Sequence, residues 1–211
     1  MKKKTWRVLG IDLAGVPHRP SGVCLLEGPR ALTRLLFADR EIVDFVRGEA
    51  PDLVAIDAPL HLPPGRKSMA DKNGVHFRPC DIELRRRKIR FFPITLGPMR
   101  ELTKRGIRLK RMLEESGFRV VEIYPGGAQD IWQIPRAKRN LAGLKTGLAR
   151  QGVEGLKDTI SDHELDAVSG ALVGHLFLQG KADVLGDFSS GAIIMPTSRS
   201  AAWNNAKKRL E

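Results

Sequence analysis

Val8-Leu9-Gly10-Ile11-Asp12 runs apolar into an aspartate, and Leu53-Val54-Ala55-Ile56-Asp57 repeats the design. Side chains alternate across a strand, so Val8, Gly10 and Asp12 share one face, as do Leu53, Ala55 and Asp57. Ala14-Gly15 and Ala58-Pro59 turn the chain after each aspartate. A carboxylate ending an apolar strand is costly to desolvate unless something compensates it. A divalent cation held by oxygen ligands is the usual compensation. For either aspartate alone, a turn residue capping a strand end is an equal reading. Two strands ending alike weigh against coincidence, and as neighbours they would bring both carboxylates to one ion. Gly10 and Gly15 would let a ligand approach the backbone there.

Working outward, Ser21–Leu26 and Ala31–Phe37 read as two further strands, and Asp39–Glu49 as a helix with Asp39 as its N-cap. Residues 61–99 are broken by Pro63-Pro64-Gly65, Asn73-Gly74, Pro79, Pro93 and Gly97-Pro98. So long an irregular stretch suits a lid or binding insertion, with a short helix around Cys80–Lys88. Met99–Gly117 reads as a long helix stopped by Gly117. Val120–Tyr124 reads as a fifth strand, and 126–158 as a loop or short helical region. Ser161-Asp162-His163-Glu164 is a capping box opening a helix to about Gln179. Ala192-Ile193-Ile194-Met195 reads as a small edge strand, and the basic end Ala206–Glu211 is expected to fray. The order β-β-β-α-β-(insertion)-α-β-(insertion)-α predicts an α/β protein with a mixed five-stranded sheet flanked by helices. That is the element order of the ribonuclease H-like fold. The whole chain, 1–211, is expected to form one such domain.

Two more carboxylates stand out. Glu122 lies inside a strand pattern, where glutamate is depleted; a solvent-facing edge position paired with an arginine is the alternative. Asp166 lies one turn into the last helix, beyond the reach of the helix dipole that suits Asp162. His163 and Asp166 share a helix face at i, i+3. Ala167, Gly170, Ala171 and Gly174 are small enough to press that face on a sheet, which would carry Asp166 towards Asp12. His163 is a candidate ligand or general base, or simply an exposed helix-start histidine.

The 211 residues carry a net charge of +12 and two cysteines, Cys24 and Cys80. The cysteine count excludes a cysteine-based zinc site and a disulfide framework. No signal-peptide h-region or transmembrane run occurs, so a cytoplasmic protein with no membrane partner is expected. The positive charge favours nucleic acid, although it also serves solubility. Arg85-Arg86-Arg87-Lys88-Ile89-Arg90, with Lys104 and Arg105 further on, face few acids, and Phe77 and Phe91-Phe92 are interleaved with them. Such mixtures suit phosphate contact and base stacking, or a solvated helix face over a buried Phe pair. No Walker, dinucleotide-binding or nucleophile-elbow motif is present.

Gly10-Ile11-Asp12-Leu13-Ala14-Gly15, Ala55-Ile56-Asp57-Ala58-Pro59-Leu60, Arg78-Pro79-Cys80-Asp81, Glu122-Ile123-Tyr124-Pro125-Gly126-Gly127 and His163-Glu164-Leu165-Asp166-Ala167 resemble the DUF429 family. So does Gly186-Asp187 followed by Gly191–Pro196. The resemblance spans nearly the whole chain and implies a predicted nuclease of ribonuclease H-like fold. It implies that Asp12, Asp57, Glu122 and Asp166 form the acidic, metal-holding site, with Mg²⁺ or Mn²⁺ as cofactor. His163-x-x-Asp166 is also similar to the helix motif of some RuvC-like resolvases. Arg78 is the expected phosphate contact, with Asp81 as its partner or a helix N-cap. The expected function is metal-dependent phosphodiester hydrolysis by a two-metal carboxylate site. The alternatives are a nucleic-acid-binding module with a dead site and an actin-like kinase or ATPase, which would need a dimer.

Overall fold

The computed structural model describes residues 5–197. Lys2-Lys3-Lys4 and the basic end Ala206–Glu211 lie outside the described residues. Strands β1 (Arg7–Asp12), β2 (Ser21–Glu27) and β3 (Arg30–Leu36) form an antiparallel meander. Helix α1 (Asp39–Glu49) leads to β4 (Leu53–Asp57), which pairs in parallel with β1. Helices α2 (Pro79–Arg86) and α3 (Gly97–Glu115) precede β5 (Val120–Ile123), parallel to β4. Then follow α4 (Pro125–Ile131), α5 (Leu141–Arg150), α6 (Asp162–Leu178) and the hairpin β6 (Ala182–Asp187) and β7 (Gly191–Pro196).

The sheet has seven strands in the order β3-β2-β1-β4-β5-β7-β6, where the sequence predicts five. Ala192–Met195 is not an edge strand. It is the centre of β7, buried throughout and hydrogen-bonded on both sides, between β5 and β6. A strand covered on both faces reads as a continuous apolar run without alternation, which hides its place in the sheet. Strand β6 buries only Leu185 deeply and therefore carries almost no periodic signal.

Helix α6 lies on one face of the sheet and is enclosed along most of its length, from Glu164 to Leu176. Its core partners are Val8, Cys24, Leu53, Ala55 and Ile123. On the other face, α1 and α3 set Ile42, Val46, Leu109 and Leu113 against Leu9, Ile11, Val54 and Ile56. A third core joins α2 to the last hairpin through Cys80, Leu84, Leu185 and Ile193. The insertion is thereby anchored on β6 and β7.

Asp39 does not cap α1. Ala38 takes the N-cap position, and the Glu41 carboxylate accepts from the Phe37 and Ala38 N–H groups. Asp39 instead accepts from Arg105 at 2.7 Å, and Arg105 also donates to the Ala14 carbonyl at 2.7 Å. The loop after Asp12 is thus tied to α3. Among the described residues, no helix is long and apolar enough to cross a membrane.

Candidate active site

Parallel pairing places Asp12 directly opposite Asp57 in register, so both carboxylates stand on the face that α6 covers. The helix comes unusually close there. A Cβ on Gly10 would lie 2.1 Å from the Ala167 carbonyl oxygen, and one on Gly22 2.0 Å from that of His163. Gly10 therefore admits a helix backbone and not a ligand. Small residues on the helix answer those on the sheet: a Cβ on Gly174 would meet Val8 at 2.8 Å, and one on Gly170 would meet Ile123 at 2.8 Å.

This contact delivers the first two turns of α6 to the strand ends. His163 Nδ1 stands 2.6 Å from Asp12 Oδ2. Asp166 accepts from Gln129 Nε2 at 2.7 Å, and the same amide donates to Ser169 Oγ at 3.0 Å. Gln129 comes from α4 and is buried. No periodic pattern marked it, because α4 falls in the stretch that reads as a loop or short helical region.

The three aspartates repel one another. Asp57 holds its proton well above the ordinary carboxylate range, first through desolvation and then through the charges of Asp12, Asp166 and Glu122. Asp166 is pushed up to about 6, again by burial and then by Asp12. The hydrogen bond to Asp12 raises the His163 pKa. Among the described residues, no lysine or arginine forms an ion pair with Asp12, Asp57 or Asp166.

Oxygen-only donors without a lysine or arginine ion-pair partner suit a hard cation such as Mg²⁺ or Mn²⁺. Among the described residues, no three His, Cys, Asp or Glu side chains already converge as a closed metal site. Asp12 and Asp166 are turned instead to His163 and Gln129. Magnesium needs only one or two carboxylates and keeps several waters, so the donor set fits without a preformed cage. Asp12, Asp57 and Asp166 are the residues that would hold the ion.

Glu122 does not join them. It pairs with Ile56 across β4 and β5, which puts it on the face opposite Asp57. Arg78 grips it at 2.7 and 2.8 Å through two nitrogens, and the Leu60 N–H donates to it at 2.8 Å. Arg78 also donates to Asp81 from Nε at 3.1 Å and from a terminal nitrogen at 2.9 Å. The Asp81 carboxylate further accepts from the Arg78 N–H and so caps α2. Arg78 is 2 % exposed, and its guanidinium is engaged by two carboxylates. Burial works against its charge, but Glu122 and Asp81 more than offset this and hold its pKa well above the ordinary value. This buried triad locks the insertion to the sheet beside the aspartates.

The basic residues divide likewise. Arg105 is buried on Asp39, Lys104 pairs with Glu101, and Arg87 bridges Glu83 and Asp183. These acids lie a helical turn away or on other elements, so the cluster looks freer in sequence than it is. Arg86 is exposed beside Glu83, and Lys88 turns the chain after α2 in a left-handed conformation. Arg85 and Arg90 stand at a groove with Phe77, Phe91 and Phe92.

The family model described as "Protein of unknown function (DUF429)" matches residues 10–189. Among solved structures, the chain is similar to T. thermophilus RuvC in complex with Holliday junction substrate. The TM-score is 0.50 at 12% identity, over 88% of this chain and 99% of that one. A Thermus thermophilus RuvC structure without that description matches at TM-score 0.43 and 13% identity, over 82% and 96%. No curated protein matches the sequence. The first likeness shows the ribonuclease H-like fold.

Proposed function

The chain belongs to the DUF429 family, and on that footing we propose that it is a Mg²⁺- or Mn²⁺-dependent nuclease hydrolysing phosphodiester bonds in nucleic acid. One observation carries the reading: Asp12 and Asp57, paired in register on adjacent strands, and Asp166 from α6 lie close enough that the charge of Asp12 raises the pKa of the other two, and among the described residues the imidazole on Asp12 is the one basic ion-pair partner of the three. A bound divalent ion would supply the positive charge that polarises a phosphoryl oxygen. Asp12, Asp57 and Asp166 would hold it. Gln129 fixes the rotamer of Asp166. His163, with Nδ1 engaged by Asp12, keeps Nε2 for a proton taken from the attacking water or returned to the leaving oxygen. The RuvC neighbour, bound to a Holliday junction, supports nucleic acid as the partner.

The test is a cleavage screen of the protein and its Asp12→Asn variant in Mn²⁺ on single-stranded DNA, duplex DNA, RNA, RNA–DNA hybrid and a four-way junction. Cutting by the natural protein, reduced at least about 10²-fold in the variant, is expected. Undiminished cutting by the variant overturns the assignment. Salt-sensitive binding without cutting by either protein would make the chain a binding module.

A further inference from the structure

A groove of about 560 Å³ opens beside the acidic site. Its walls are aromatic: Phe77 and Phe91 stand edge to face at 6.1 Å, Tyr124 closes one side, and Phe92 is 67 % exposed. Its rim is basic. Arg85 lies 5.1 Å over the Phe77 ring, and Arg136 lies 5.7 Å from the Tyr124 ring. Arg136 is paired with Asp130, whereas Arg85 and Arg90 have no carboxylate partner among the described residues. Among the described residues, no acidic side chain lines the groove. The Tyr124 hydroxyl donates to the Arg90 carbonyl at 2.6 Å, which fixes the wall to the loop after α2.

The groove adjoins the cleft that Asp57 lines, and Phe91, Phe92 and Tyr124 border both. Its volume lies in the small-molecule range, roughly 300–1,000 Å³. An exposed ring next to unpaired guanidinium groups suits a flat π-face joined to an anion. A base inside a duplex has both faces covered by its neighbours; only an unpaired or extruded nucleotide can offer one. We propose that this groove stacks the base of one unpaired nucleotide of a strand, with the adjoining phosphodiester at Asp57. The inference rests on the nuclease reading and names its substrate: strands with an unpaired or extruded nucleotide at the cut.

The test is binding in chelator, where nothing is cut, of a single-stranded oligonucleotide carrying one 2-aminopurine, with matched duplex as control. The natural protein is expected to change the 2-aminopurine fluorescence and to prefer the single strand. Phe92→Ala should lose the fluorescence change and weaken single-strand binding about five-fold or more, the low end for one stacked base. Phe92→Trp should retain both, and duplex binding should be unchanged. Single-strand binding by Phe92→Ala and Arg90→Glu equal to the natural protein's overturns the groove. Displacement of the strand by micromolar nucleoside monophosphate overturns the strand assignment. The Mn²⁺ screen is read separately. Cutting with an inert groove refutes only this inference, and a stacking groove without cutting refutes only the nuclease.

Discussion

Asp166 and His163 make the metal-free site sensitive to pH in one direction. A carboxyl lifted to about 6 in the fold leaves stability intact at low pH and lowers it as pH rises from its usual 3.8 through about 6. A histidine raised by its partner adds stability below its ordinary 6.5, lost as pH climbs through the higher folded value. Both lower the stability of the metal-free protein as pH rises, Asp166 from 3.8 to about 6 and His163 above 6.5. Asp166→Asn keeps the acceptor for Gln129 and removes the charge. In chelator at pH 8 it should stabilise the protein by about 1–3 kcal/mol, a gain that vanishes below about pH 4. Urea unfolding at both pH values checks it; a destabilised variant at pH 8 refutes the electrostatic account. His163→Gln should slow cleavage by about 10²-fold or more with little change in fold, read in the Mn²⁺ screen. Asp12 and Asp57 were legible as candidates because each ends an apolar strand pattern, and Asp166 because it lies beyond the reach of the helix dipole. Glu122 interrupts a strand pattern as plainly. Strand parity, which assigns it to the other face, depends on a register between β4 and β5 that the sequence does not contain.

At the scale of elements, α6 depends on Gly10 and Gly22. Either changed to alanine forces a Cβ into helix backbone at about 2 Å, so each should cost more than about 3 kcal/mol in urea unfolding. A cost below about 1 kcal/mol would show that the helix can retreat. Arg78→Ala strands two buried carboxylates and should cost about 3–5 kcal/mol by the same measurement. The α6 capping box was readable because Ser161 and Glu164 stand three apart and satisfy each other locally. The insertion was readable as a break, but not as a clamped one. Its anchors, Arg78 to Glu122 and α2 to the last hairpin, join residues far apart in sequence.

For the whole molecule, the +12 charge sets how the chain meets a polyanion. Several arginines that look free are consumed in ion pairs. Affinity for single strands should therefore fall linearly with the logarithm of salt at a shallow slope, a few phosphate contacts and far fewer than the charge suggests. A titration between low and moderate salt gives the slope directly; a value near ten would mean that the paired arginines are released on binding. The third aspartate of the site comes from a helix late in the chain, 109 residues beyond Asp57 (166 − 57). At ribosomal speed that separation lasts roughly 5–20 s. Throughout it, Asp12 and Asp57 emerge without the group that completes their site. On the proposed function, the site cannot be completed before α6 has left the ribosome.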